Sequence, residues 1–179
     1  MAVLKLHVLG SPVLRQRSDE VPEVTDEIRQ FIADMFATMD AARGVGLAAN
    51  QVGVDRRVAV VDADGTRIAM VNPKIVVASE GRATQEEGCL SIPDIFADVT
   101  RPAAVTLEAL DADGQPYRVE ATGLLARAIQ HEIDHLDGIL FLDHLGPMKR
   151  RMLLSRWKKQ HQDDASYIKE VAAESSARE

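Results

Sequence analysis

Apolar residues recur every three or four positions in two stretches of the chain, and this spacing predicts two amphipathic helices. The first runs from Thr25 to about Ala42, with Asp26 and Glu27 in its first turn and Gly44 after its end. The second begins at about Thr122, within VEATGLLARAIQHEIDHLDG, and Gly138 is expected to end it. A third helix is expected to begin near Pro147, because proline is tolerated in a first helical turn.

Between the first two helices the pattern changes to short runs that favour β-strands. These runs are RRVAVVD, IAMVNP, KIVVAS, AAVTLEALD and YRVEAT, and turn signals such as DADG separate them. The pattern predicts an α+β fold: antiparallel β-sheets packed around a central helix, with an N-terminal and a C-terminal helix beside them. We expect one domain over residues 1–165, with a basic C-terminal helix at 148–162, and a fraying polar tail at 166–179.

Composition agrees with an ordinary globular domain, since 46% of the 179 residues are hydrophobic and 27% are charged. No apolar run approaches the roughly 20 residues that a membrane-spanning helix needs. The N-terminus also lacks a signal-peptide pattern, so we expect a cytoplasmic protein that does not bind membranes. A net charge of −7 argues against a protein that coats DNA.

The stretch AIQHEIDHLDG places His131 and His135 one helical turn apart, on the same face, where both can reach one metal ion. Two imidazoles do not complete a site. Phe141 stands where one HExxH pattern has a third histidine, and His144 lies in a turn that favours a surface or capping role. Cys89 is the better third ligand, because a Cys-His-His set suits Zn²⁺ or Fe²⁺ and leaves one position open for water.

Three motifs occur in order along the chain: GVGLAANQ (44–51), EGCLS (87–91) and HEIDH (131–135). In this ordered set the chain resembles the peptide deformylase family, which removes the formyl group from the N-terminal formylmethionine of nascent polypeptides. The resemblance implies the following roles: metal ligands Cys89, His131 and His135; general base and acid Glu132; oxyanion donors Gln51 and the backbone N–H of Leu90; peptide and methionine binding by Val45, Gly46, Leu124, Leu125 and Ala128.

The resemblance also implies one divalent metal ion, with Fe²⁺ expected in the cell and Zn²⁺, Ni²⁺ or Co²⁺ in preparations. Such an ion can lower the pKa of its bound water from 15.7 to about 7, which supplies hydroxide for attack on the formyl carbon. The expected partners are N-formylmethionyl nascent peptides.

Two residues depart from the family pattern. Arg127 replaces a residue that is more often apolar near the methionine pocket, and Phe96 stands where some members have arginine. Both could tune the pocket rim or the peptide groove, while Arg127 could equally point to solvent. Neither is expected to affect the chemistry.

The segment MKRRMLLSRWKKQ, residues 148–160, contains six lysines or arginines and no acidic residue. It is either a solvated helix face with Met152, Leu153 and Trp157 packed on the core, or a helix that docks on the ribosome.

Two other functions compete with deformylation at this stage. One is an HExxH metallopeptidase that cleaves internal peptide bonds. The other is an inactive homologue that only binds nascent chains or ribosomes.

Overall fold

The computed structural model describes residues 1–164 and 166–171, and this part of the chain contains three α-helices and nine β-strands. The helices are α1 (Asp26–Ala41), α2 (Gly123–Leu136) and α3 (Pro147–His161). The strands are β1 (Leu6–His7), β2 (Gly46–Ala48), β3 (Val58–Ala63), β4 (Thr66–Ala78), β5 (Arg82–Cys89), β6 (Ile92–Pro102), β7 (Ala104–Leu110), β8 (Pro116–Thr122) and β9 (Ile168–Lys169).

The central sheet has five antiparallel strands in the order β2-β3-β4-β7-β8. Successive side chains of a strand point to opposite faces, and β3 is buried on both. Val58 and Val60 pack with α1, whereas Ala59 and Val61 pack with α2. The central helix therefore lies on one face of the sheet and α1 covers the other, which confirms the α+β prediction.

The helix boundaries follow the predicted signals. Thr25 precedes α1, and its hydroxyl accepts a hydrogen bond from the N–H of Ile28 at 3.2 Å. Thr122 precedes α2, although its side chain makes no capping bond. Gly138 follows α2 with a φ of 76°, a left-handed conformation that glycine adopts without strain.

Two predicted strands are one long strand in the structure. The runs IAMVNP and KIVVAS both belong to β4, whose pairing with β7 shifts register between Val71 and Lys74. Asn72 sits at this irregularity with a φ of 50°, and its side chain bonds both the N–H and the carbonyl of Val21. This bulge interrupts the alternation of buried and exposed residues without ending the strand.

Strands β5 and β6 form a separate two-stranded hairpin that was absent from the predicted strands. Its signal is weak in β5, where RATQEE is polar and mostly exposed. In β6 the structure shows buried and exposed residues in alternation: Ile95, Ala97, Val99 and Arg101 are all buried. The hairpin packs beside α2 and places Cys89 at the end of β5.

The C-terminal region differs from prediction in two ways. Residues 166–171 are not a fraying tail, because β9 pairs with β1 and the carbonyl of Tyr167 accepts the N–H of Val8 at 2.7 Å. The rest of the predicted tail, 172–179, lies outside the described residues. On α3, Leu153 and Trp157 are buried as predicted, but Met152 is 56% exposed, because it lies on the opposite side of the helix.

Across residues 1–164 and 166–171, every helix is too short or too polar to cross a membrane.

Candidate active site

Cys89, His131 and His135 come together where the β5–β6 hairpin meets α2. The Cys89 Sγ and the His131 Nε2 are both 3.2 Å from the Nε2 of His135, and the three potential ligand atoms all lie within 4.8 Å of one another. One sulfur and two imidazole nitrogens form a donor set that suits a single divalent cation such as Zn²⁺ or Fe²⁺. His144 is not in this group, because its ring bonds Asp134 at 2.7 Å.

Glu87 orients His131 within the group. The Nδ1 of His131 is 2.9 Å from the Glu87 carboxylate, which leaves the Nε2 to face Cys89 and His135. Arg101 donates to both oxygens of the same carboxylate, at 2.6 and 2.9 Å, and also reaches Asp134. A carboxylate behind a ligating histidine fixes the orientation of the ring and increases its basicity as a ligand.

The two histidines differ in their proton affinity. Burial lowers the pKa of His131, but the hydrogen bonds of its ring to Cys89 and Glu87 outweigh burial and raise it to about 10. Burial, together with the charge on His131, lowers the pKa of His135. A cation would displace the proton of His131, since only a neutral imidazole nitrogen can act as a ligand.

Glu132 lies beside the ligand group and is buried, with 3% of its surface exposed. Burial raises its pKa to about 7, although the charges of His131 and Arg101 oppose this rise. Its Oε2 has no hydrogen-bond partner among the described residues, as expected for an oxygen that acts on a substrate or a water. Glycine is needed at position 46, because a Cβ there would lie 2.8 Å from the Glu132 Oε1.

The carboxamide of Gln51 is held in one orientation. Its Oε1 accepts the N–H of Ala48 at 2.9 Å, and its Nε2 donates to the hydroxyl of Ser91 at 3.1 Å. The same Nε2 lies 3.6 Å from the Cys89 Sγ. The amide therefore presents one N–H to the ligand group, beside Leu90, which also lines the cavity.

Strand β2 is an edge strand, and Gly46 has its backbone groups directed away from the sheet. The N–H of Asp62 bonds the carbonyl of Val45, and bonded and non-bonded pairs alternate along an antiparallel ladder. Gly46 and Val61 therefore form a non-hydrogen-bonded pair, and the N–H and carbonyl of Gly46 point outward. An extended peptide could bond this edge.

A cavity of about 480 Å³ opens onto the ligand group, and most of the predicted substrate-binding residues line it. Val45 and Leu124 are partly exposed at its walls, and Gly46 and Ala128 also contribute. Leu125 does not: it is buried in the core between α2 and the sheet. Successive helical residues point about 100° apart, so Leu125 cannot share the face of Leu124.

Both departures from the family pattern also lie at this cavity. Arg127 does not point to solvent; it is 8% exposed and donates to Glu87 at 2.5 Å. Phe96 is 57% exposed and packs over Gly88, where a Cβ would lie 2.6 Å from its ring. The alternative in which Arg127 points to solvent is therefore wrong, and the side chain lies behind Glu87, which contacts His131.

Sequence reasoning assigned no role to Glu87 or Ser91, although both belong to the EGCLS motif. Their roles come from contacts with residues distant in the chain, 44 and 40 positions away. The signal available in the sequence was that both are polar residues two positions from Cys89, a predicted metal ligand.

Comparisons with known proteins point to one family. The family model for polypeptide deformylase matches residues 3–151. The peptide deformylase of Brucella suis is 51% identical over 164 residues, which cover 89% of this chain and 94% of that protein. The peptide deformylase of Rhizobium meliloti is 47% identical over the same length, with the same coverage of both chains.

Solved structures agree as well. The peptide deformylase of Ehrlichia chaffeensis in complex with actinonin matches with a TM-score of 0.86 and 38% identity, covering 90% of this chain and 99% of that one. The Legionella pneumophila enzyme matches with a TM-score of 0.85 and 43% identity, covering 90% and 96%. From the matched family model, the identity of these relatives and the shared fold, we conclude that the chain belongs to the polypeptide deformylase family of hydrolases.

Proposed function

We propose that the chain removes the formyl group from N-formylmethionyl peptides with Cys89, His131 and His135 holding one divalent cation. The observation that carries the proposal is the position of Glu132, a buried carboxylate directly beside this ligand group whose Oε2 has no hydrogen-bond partner among the described residues. We further propose Fe²⁺ as the ion in the cell, with Zn²⁺, Ni²⁺ or Co²⁺ able to replace it, because a Cys-His-His set accepts each of these.

When bound, the cation supplies Lewis acidity that makes a water molecule acidic near neutral pH and polarises the formyl oxygen. Glu132 takes a proton from the attacking water and returns it to the amine nitrogen as the C–N bond breaks. The products are formate and a peptide with a free N-terminus. A positioned general base and acid of this kind typically contributes about 10²–10⁴ in rate.

Two donors are proposed to stabilise the developing oxyanion. The Gln51 carboxamide is held by Ala48 and Ser91 with one N–H toward the ligand group, and the backbone N–H of Leu90 follows Cys89 directly. Both are neutral, so they stabilise the oxyanion without adding charge beside the cation. The loss of one such donor typically costs about 10²–10³ in turnover.

The peptide is proposed to lie along the β2 edge, bonded to Gly46, with the methionine side chain among Val45, Leu124 and Ala128. An apolar wall accepts the flexible methionine chain readily. An acetyl group would bring a methyl into the crowded space beside Gly46 and Glu132, which overpacking disfavours.

We predict formate release from formyl-Met-Ala-Ser and no release of acetate from acetyl-Met-Ala-Ser, measured with protein of known metal content.

Glu132→Ala should retain its metal and lose about 10²–10⁴ of kcat, since proton transfer is lost. Glu120→Ala removes an exposed carboxylate of β8 and serves as the control. Cleavage of internal bonds in unformylated peptides would instead favour a metallopeptidase, and full activity of Glu132→Ala would remove that residue from the mechanism.

We also propose that α3 docks on the ribosome. Its buried side holds Leu153 and Trp157, so its cations face outward; the exposed ones are Lys149, Arg151, Arg156, Lys158 and Lys159. Arg150 is engaged at 3.4 Å with Asp143. An outward cluster of cations in a segment, 148–160, that contains no acidic residue fits the phosphate backbone of RNA, and binding through it should weaken as salt rises.

Replacing Arg151, Lys158 and Lys159 with glutamate should reduce co-sedimentation with ribosomes and leave turnover of free formyl-peptides unchanged, because these side chains are distant from the cavity. The charge-matched control replaces the exposed cations Arg17, Lys74 and Arg82 with glutamate. Equal loss in both variants would mean a general charge effect, and unchanged co-sedimentation of the α3 variant would refute docking.

A further inference from the structure

The side of α2 that faces the β5–β6 hairpin carries a polar stripe of four residues spaced at helical intervals: Arg127, Gln130, His131 and Asp134. The opposite side of α2 packs Ile129 and Leu136 into the apolar core. Each member of the polar stripe reaches the hairpin; the contacts are Arg127 to Glu87, Gln130 to the Pro102 carbonyl, His131 to Glu87 and Asp134 to Arg101.

This interface matters because the hairpin is not hydrogen-bonded into the five-stranded sheet. Cys89 belongs to the hairpin, while His131 and His135 belong to α2. The contacts of the polar stripe, together with apolar packing, therefore set the distance between the thiol and the two imidazoles.

Arg127 makes the most extensive of these contacts, and it reaches both strands. Its Nη1 donates to the Glu87 carboxylate at 2.5 Å and to the Val99 carbonyl at 2.9 Å. Its Nη2 donates to the Ala83 carbonyl at 2.8 Å. Glu87 and Ala83 belong to β5 and Val99 belongs to β6, so one side chain of α2 holds both strands of the hairpin.

We propose that Arg127 is a positioning residue that holds the hairpin against α2, and thereby sets Cys89 opposite His131 and His135. It acts a second time through Glu87, whose Oε2 it engages while the Oε1 faces the His131 Nδ1. The proposal rests on the ligand set of the proposed function. It gives a chain-specific role to a residue that stands where an apolar side chain was expected.

The chemistry requires a guanidinium. Three acceptors lie around Arg127 in fixed directions, and its planar fork can bond all three at once, whereas a lysine ammonium is a compact point charge on a flexible stem. Methionine would fill similar space and leave two buried carbonyls and one carboxylate oxygen without this donor. Arg101 on β6 still bonds Glu87 on β5 and Asp134 on α2, so the variant should fold.

The test uses Arg127→Met and Arg127→Lys in the full chain. We expect Arg127→Met to bind Zn²⁺ or Co²⁺ about 10–100-fold more weakly in chelator competition, as is typical when a partner behind a metal ligand is lost. Arg127→Lys should lose less. In the metal-free protein, the single cysteine should react faster with a thiol reagent in both variants, because the hairpin is held less tightly. Its reactivity reports on Cys89 without any turnover.

Arg118→Met is the matched control, because Arg118 pairs with Glu108 on the exposed far edge of the sheet and is distant from the hairpin. Wild-type metal affinity and wild-type thiol reactivity in Arg127→Met would overturn the proposal. A raised KM with unchanged metal affinity would also overturn it, since Arg127 would then only line the cavity. If Arg127→Met does not fold, Arg127→Lys decides by the same criteria. Failure of the proposed function is distinguishable, because Cys89→Ala would then leave metal binding intact.

Discussion

Gly46 and Glu132 show how closely two residues from different elements must fit at this site. The glycine lies on β2 and the glutamate on α2, and an added Cβ would approach the Oε1, Cγ and Cδ of Glu132 within 2.8, 2.9 and 3.0 Å. Glu132 is buried, so its side chain has little room to move away. The absence of a side chain at position 46 is therefore part of the placement of the proposed base.

Gly46→Ala should fold and lose about 100-fold in kcat, because a displacement of about 1 Å of a catalytic group can cost that much. Steady-state kinetics with a formyl-peptide measures the loss. Gly81→Ala is the control, since, apart from its chain neighbours, no heavy atom of the described residues lies within 4 Å of its added Cβ. Full kcat in Gly46→Ala would mean that Glu132 tolerates displacement and does not act as the base.

Residue types with distinctive chemistry could be predicted from the sequence, whereas their supporting partners could not. The histidine spacing, the lone cysteine and the ordered motifs indicated the ligand group, and the structure brings its three members together. Arg127 was misjudged because a charge on an apolar helix is expected to reach solvent. Its buried position depends on Glu87, which is 40 residues away in the chain and comes close only in the fold.

Between secondary-structure elements, polar contacts hold the region after α2 in place. Asp143, in the short 3₁₀ helix Phe141–His144, accepts bonds from Arg15 at 2.6 and 3.3 Å and from the N–H of Leu140 at 3.0 Å. Arg150 of α3 approaches the same carboxylate at 3.4 Å. Burial raises the pKa of Asp143, but the bonds from Arg15 and Leu140 outweigh it and lower the pKa overall.

Asp143→Asn should lower the free energy of unfolding at neutral pH by about 1 kcal/mol, a typical upper value for a partly exposed ion pair. A carboxyl with a lowered folded-state pKa stabilises above its unfolded pKa of about 3.9, and this stabilisation is lost as pH falls through the folded pKa. The difference from wild type should therefore shrink below about pH 4 in urea unfolding curves. Asp98→Asn, on the exposed side of β6, is the control; a gap that persists in acid would contradict the assignment.

The strong helices and most strands of the central sheet were predictable because their apolar period is set by local burial. The β5–β6 hairpin was not predictable in this way. β5 is largely polar and exposed, and β6 follows the EGCLS motif directly and was not recognised as a separate strand. The length of β4 was also missed, because a bulge at Asn72 breaks the alternation without breaking the strand.

For the whole molecule, the two ends of the described chain meet. Leu6 pairs with Lys169 and His7 pairs with Ile168, and Tyr167 packs against Gly10. From this junction the N–H of Leu9 bonds the carbonyl of Ser91, whose hydroxyl holds Gln51. The contact was not predictable, because residues 166–171 mix polar and apolar side chains and carry too little local pattern to indicate a strand.

The pairing of β1 with β9 determines the order in which parts of the fold can form during biosynthesis. Residues 6–7 are translated long before their strand partners at 168–169, so β1 stays without this partner until that segment has left the exit tunnel. Pairing across so many residues is slow to form, since the loop between them must close first. A member of a family that works on growing polypeptides thus completes this part of its own fold only once β9 has been translated and is free to pair with β1.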